Sequence, residues 1–221
     1  MSVKETPSKR TLNRFRNAVI SWFDDNGRDY PWREDTTPYR ILIAEMLLRR
    51  TTATAVLRVY SPFLATFSSI EELARADQAE IQRTVKGLGL QRVRANHLSR
   101  TSKTIQNDHG GEVPNDLDVL LKLPGLGRYS AAAILNFAFG QSVSMVDGNI
   151  AHLVSRVLDF ESASPDDESI WKLVDNIGQP DHDRRLYWGM IDLVALVCLR
   201  SNPRCQLCPL NNLCEYYRKA T

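Results

Sequence analysis

The sequence predicts an all-α protein. No segment sustains the period-2 alternation of a half-buried strand, and apolar residues recur instead at three- and four-residue steps. The connections between these periodic segments are short and marked by glycine or proline, as suits a compact helical array. With 221 residues, 43% of them hydrophobic, the chain can bury a sizeable core in one domain or two small ones. A charged fraction of 24% sets it apart from disordered compositions.

Residues 1–8 read as a frayed tail. Residues 9–26 form an amphipathic helix with Leu12, Phe15, Val19, Trp22 and Phe23 on one face, stopped by Asn26-Gly27. A loop around Pro31-Trp32-Arg33 and Pro38 leads into an apolar helix over 39–50, built on Ile41, Ile43, Leu47 and Leu48. Further helices fit 52–66, 69–75, 77–86, 91–108, 116–122, 129–139, 149–158, 167–177 and 184–196.

The net charge is only +2, so any nucleic-acid contact must come from a local patch rather than a whole-protein field. The start MSVKETPSKR has no apolar stretch of a secretory signal, and no run approaches the roughly 20 apolar residues of a membrane span. These features read as a soluble, intracellular protein, cytoplasmic and monomeric, with reduced thiols.

All four cysteines fall in the last 24 residues: Cys198, Cys205, Cys208 and Cys214, spaced C-x6-C-x2-C-x5-C. Four thiols this close in an intracellular chain point to metal rather than disulfides. Zinc takes four cysteines, often as two C-x2-C pairs, but only one such pair is present. A [4Fe–4S] cluster takes one thiolate per iron and suits a compact loop.

Leu123-Pro124-Gly125-Leu126-Gly127-Arg128-Tyr129-Ser130-Ala131 joins two predicted helices. Pro124 ends the first, and Gly125 and Gly127 permit a tight turn with close backbone approach. Amides at the start of the next helix make an anion site suited to a DNA phosphate, although an ordinary helical connection can look the same.

The hairpin resembles the helix-hairpin-helix motif of the endonuclease III and MutY glycosylases. Val146-Asp147-Gly148-Asn149, one helix later, matches that family's aspartate, and the cysteine spacing matches its iron–sulfur loop. The resemblance covers almost the whole chain. It implies a two-lobed fold: a six-helix barrel over 30–141 holding the hairpin, and a discontinuous domain of 1–29 and 142–221 with a cluster loop over 198–214. It also implies double-stranded DNA with a mismatched or damaged base as partner, bound across both lobes.

The same resemblance assigns roles to three residues. Asp147, by itself an ordinary helix N-cap, becomes the catalytic carboxylate that stabilises an oxocarbenium-like sugar or orients water. Tyr129 stands where the bifunctional endonuclease III proteins carry a Schiff-base lysine. Tyrosine cannot form that base, so the expected enzyme is monofunctional and uses water. Glu45 interrupts the apolar run Ile41 to Leu48. Unless it faces solvent, burial raises its pKa and makes it an acid or hydrogen-bond donor. Glutamate there resembles the pocket residue of MutY and of the Mig thymine glycosylases.

Substrate is the finer question. Leu47-Leu48-Arg49-Arg50-Thr51-Thr52-Ala53 and Asp29-Tyr30-Pro31-Trp32-Arg33 resemble Mig segments, and Leu90 stands where MutY places an intercalating tyrosine. The chain also ends seven residues after Cys214, without MutY's long C-terminal domain. Leu90 is therefore expected as an apolar wedge, Arg49 as a filler of the vacated stack or a donor to guanine O6 (unless it is simply a solvated arginine after a buried helix), and Arg50, Arg128, Gly125 and Gly127 as further DNA contacts. Arg92, Arg94, His97 and Arg100 read either as a phosphate track or as a solvated helix face. The expected function is removal of thymine or uracil opposite guanine. The alternatives are a MutY-like adenine glycosylase, a bifunctional lyase and a non-catalytic DNA-binding module.

Overall fold

A computed structural model describes residues 7–220. Among them there is no strand, and the helices fall into two compact units. One runs continuously from Asp29 to Gln141. The other joins the chain up to Arg28 with the chain from Ser142 onward. No described helix is long and apolar enough to cross a membrane.

The continuous unit holds α2 (Pro31–Glu34), α3 (Pro38–Leu48), α4 (Ala53–Thr66), α5 (Ile70–Arg75), α6 (Gln78–Thr84), a 3-10 turn (Lys86–Leu88), α7 (Gln91–Asp108), α8 (Leu117–Lys122) and α9 (Arg128–Phe139). Its centre is the pair α3 and α9. Every residue from Ile41 to Leu47 and from Ser130 to Phe137 is buried, so each helix is covered on all sides, and they pack on each other. α5 and α6 lie along α7, and α4 packs on α3. The segment read from sequence as a loop around Pro31 contains a short helix. Pro31 occupies its first turn, where a missing N–H costs nothing, and Trp32 is buried between Tyr30 (centroids 4.7 Å, stacked) and Tyr60 (5.2 Å, edge-on).

The second unit contains α1 (Lys9–Asn26), α10 (Gly148–Leu158), α11 (Glu168–Gly178), α12 (Arg184–Leu196), 3-10 turns at Cys205–Leu207 and Asn211–Leu213, and α13 (Glu215–Ala220). Residues 1–6 of the expected frayed tail lie outside the described residues. Ser8 is not tail-like: it caps α1, its Oγ accepting from the Thr11 amide at 3.2 Å. α1 packs on α11 and α12. Gly189 permits the close approach to α12, because a Cβ there would sit 2.8 Å from Val19. Asp192, fully buried on α12, is matched by Arg28, whose Nε and Nη2 donate to Oδ1 at 2.9 and 2.7 Å while its amide donates to Oδ2 at 2.8 Å.

Candidate active site and DNA interface

The hairpin between α8 and α9 is built around Gly125, whose φ of +86° is a conformation that favours glycine. A Cβ at Gly125 would also lie 2.8 Å from the Cβ and Cγ of His97 on α7. Two side chains fasten this turn. Thr101 donates through its hydroxyl to the Pro124 carbonyl, and Arg49 donates through Nη1 to the Gly125 carbonyl. Gly127 differs from expectation. Its φ is −118°, and a Cβ there would meet nothing within 4 Å, so neither turn geometry nor packing demands glycine. It sits at the N-cap of α9 without a side-chain cap, and Arg128 beyond it is exposed. The first-turn amides of a helix are its natural anion-binding groups.

Arg49, Arg50 and Leu90 are brought together around one open cavity, with Met46, Val93, Arg94 and His97. Leu90 is 55% exposed at φ +48°, a costly conformation for leucine that presents an apolar side chain at the start of α7. Arg50 is exposed at φ +52°. Burial, then the charges of Arg49, Arg100 and Arg94, pushes the His97 imidazole below its ordinary pKa, so the ring is neutral near pH 7. Arg94 departs from both sequence readings. It belongs to neither a phosphate track nor a solvated face, because it is 6% exposed and donates to backbone carbonyls of the α3 C-terminus.

Glu45 is buried on α3 at 6% exposure, not solvent-facing. Tyr129 is half-buried in the first turn of α9, the helix packed against α3.

Asp147 caps α10. Its Oδ1 accepts from the amides of Asn149 (2.9 Å) and Ile150 (2.7 Å), and its Oδ2 accepts from Asn149 Nδ2 (3.0 Å). Burial nevertheless raises its pKa above the ordinary aspartate value. The cap hydrogen bonds and the Arg200 charge oppose this without cancelling it. Arg200 donates to the Gly148 carbonyl at 3.0 Å, which sets a cation beside the carboxylate. One turn further, His152 is kept below its ordinary pKa by burial and by Arg156 and Arg200.

Cys198, Cys205, Cys208 and Cys214 line a single pocket with Arg156, Val157, Val197, Pro203, Tyr216 and Tyr217. Among the described residues, no three His, Cys, Asp or Glu side chains are grouped to hold a metal ion. Burial raises the thiols of Cys198 and Cys214 and pushes Cys208 up to about 11. Arg156 spans this loop. It donates to the carbonyls of Leu199 (2.9 Å) and Arg200 (3.3 Å), approaches Cys198 Sγ at 3.8 Å and stacks over Tyr216 at 4.3 Å. Sequence reading passed over Arg156 and Arg200, since neither stands in a motif of its own.

Residues 43–177 match the family described as "HhH-GPD superfamily base excision DNA repair protein". The chain belongs to this superfamily. Within it, the chain is 33% identical to a thymine/uracil-DNA glycosylase of Methanothermobacter thermautotrophicus, over 98% of each protein. It is 32% identical to an adenine DNA glycosylase of Buchnera aphidicola subsp. Baizongia pistaciae, over 92% of this chain but 58% of that one. Among solved structures, a thermostable thymine-DNA glycosylase superposes with a TM-score of 0.90 at 32% identity, covering 95% of this chain and 98% of the other. The expectation of an all-helical HhH-GPD fold thus holds, and the non-catalytic DNA-binding module is displaced by a family of repair enzymes.

Proposed function

We propose that this DNA glycosylase removes thymine or uracil mispaired with guanine, by hydrolysing the N-glycosidic bond of a base swung out of the duplex. The observation that carries the substrate is the likeness to a thymine/uracil-DNA glycosylase along 98% of both chains. The exposed Leu90 and the adjoining Arg49 support it. An apolar side chain can wedge between base steps, and a guanidinium can donate to the O6 of the widowed guanine.

In this reading Asp147 provides the negative charge that develops most value as the sugar becomes oxocarbenium-like, and it orients the attacking water. Glu45, buried on α3, offers hydrogen bonds to a pyrimidine edge. Tyr129 supplies no amine, so the reaction ends at an abasic site. Amides around Gly127 and Arg128, together with Arg50, contact the phosphate backbone.

The four cysteines are proposed to hold a [4Fe–4S] cluster within the Cys198–Cys214 loop. The thiols surround one cavity rather than pairing in disulfides. Burial holds the thiols of Cys198, Cys208 and Cys214 above the ordinary cysteine value, so a bound cation such as iron would favour their thiolate forms. Arg156, which lines the same pocket, would offset the negative charge of such a centre. A bound cluster would contribute folding energy to this loop.

The test is a single-turnover comparison on otherwise identical duplexes carrying T:G, U:G, A:G or A:8-oxoguanine. The first two are expected to be processed much faster. If either adenine pair outpaces T:G, the chain is MutY-like in substrate.

A further inference from the structure

We infer that Arg94 is a positioning residue for recognition of the base opposite the excised one: it holds in place the backbone that carries Arg49 and Leu90. This rests on the proposed reading of those two residues as opposite-base reader and wedge.

The last carbonyls of α3 lack intrahelical partners, as at any helix end. α3 has no glycine cap to satisfy them. Arg49, its C-cap, is extended at φ −60°, ψ 124°, and Arg50 follows in the left-handed region. The partner comes instead from α7. Arg94 Nη1 donates to the carbonyls of Met46 (2.8 Å) and Leu47 (3.0 Å), and Nη2 donates to that of Arg49 (2.9 Å). A buried cation at the negative end of a helix is well placed. The backbone amide of Arg94 meanwhile donates to the Leu90 carbonyl at 2.9 Å, closing the first turn of α7 behind the wedge. One residue therefore anchors both limbs of the cavity.

The tip of Arg49 is fixed as well. Its guanidinium donates to the Gly125 carbonyl and lies 3.4 Å from His97 Nδ1, one turn along α7 from Arg94. Backbone and side chain of the reader are thus both set by α7 and the hairpin. At 6% exposure, with its guanidinium committed to three carbonyls, Arg94 offers little to DNA itself and acts on selectivity through Arg49 and Leu90. Lysine cannot replace it: an ammonium is a point charge without the planar fork that reaches three carbonyls.

The experiment uses the full chain and two duplexes, uracil opposite guanine and uracil opposite a tetrahydrofuran abasic analogue. The single-turnover rate ratio between them measures the contribution of the opposing base. Arg94→Lys is expected to lower this ratio about tenfold, the scale of one lost base contact, by slowing the guanine duplex alone. The salt dependence of binding should stay that of the wild type, since no phosphate contact is lost. Arg49→Ala is expected to lower the ratio similarly, and adding Arg94→Lys to it should change the ratio no further. Arg94→Gln, which keeps two N–H donors, is the second variant should the lysine form not fold by circular dichroism.

A normal ratio in folded Arg94→Lys or Arg94→Gln, with Arg49→Ala defective, overturns the inference and leaves the opposite-base reading standing. Equal slowing on both duplexes also overturns it, as the mark of a merely structural role. Normal ratios in both Arg49→Ala and Arg94→Lys overturn the opposite-base reading and the inference with it.

Discussion

Asp147 holds two jobs that a pair of substitutions separates. As an N-cap it accepts from two backbone amides, at 2.9 and 2.7 Å. As the proposed catalytic carboxylate it faces a positive charge that exists only in the transition state. Asparagine keeps an acceptor in the same place and loses the charge, whereas alanine loses both. At an effective dielectric of about 20, unit charges roughly 4 Å apart interact by about 4 kcal/mol. That corresponds to about a thousandfold in rate. Both Asp147→Asn and Asp147→Ala should therefore slow single-turnover cleavage of T:G by about three orders of magnitude.

Their stabilities should differ. Losing the cap costs about 1 kcal/mol, a fall of roughly 2–4 °C in melting temperature for a chain of this size. That fall is expected for alanine alone. The raised pKa of Asp147 fixes the sign for asparagine. A carboxyl with a raised folded pKa contributes stability that is full below its unfolded value and lost as pH rises through the folded one. Asparagine never ionises, so at neutral pH it should match or exceed the wild type. The acid limb of the wild-type rate should likewise lie above the ordinary aspartate value of about 3.9. Cleavage by Asp147→Asn within tenfold of the wild type would refute the catalytic assignment. Equal melting of the two variants would refute the cap argument.

Three further outcomes are expected. Gly125→Ala should both destabilise the fold and weaken DNA binding, because it combines a φ of +86° with a collision on His97, whereas Gly127→Ala should melt like the wild type. Any loss of affinity in Gly127→Ala, measured by titration with duplex, then reports the DNA contact itself. The purified protein should absorb broadly near roughly 400 nm, and Cys198→Ser should lose iron and melting temperature together; metal analysis finding one zinc and no iron contradicts this. Borohydride should trap no covalent protein–DNA adduct, and product strands should break only after alkali. Tyr129→Lys should introduce trapping if that side chain faces the sugar.

Long helices were legible because their apolar periodicity is strong: α1 and α7 run over the residues expected of them. α2 was not, since four residues are too few to show a period and Pro31 reads as a breaker until its first-turn position is known. α13 and the turns around the cysteines escaped for the same reason. Arg94 was misread because a basic residue in a basic stretch looks solvated. The signal was nonetheless present, as Ala95, Leu98, Ser102 and Ile105 mark the buried face of α7 and Arg94 borders it. Gly127 was given the same role as Gly125 because one-letter patterns cannot separate a glycine needed for its backbone angle from one that leaves open space. Arg156 and Arg200 escaped because the carbonyls that they hold are brought near by folding, far away in the chain.

The split of one unit around the other has a consequence for synthesis. Everything that the Asp29–Gln141 unit needs is contiguous, and α3 can meet α9 as soon as that stretch has left the ribosome. α1 emerges earlier, yet α11 and α12, against which it packs, are encoded near the opposite end of the chain. Its apolar face, with Leu12, Phe15 and Val19, must therefore wait uncovered while the whole intervening unit is made. The contacts that cover this face thus join the two ends of the chain, the widest sequence separation within that unit.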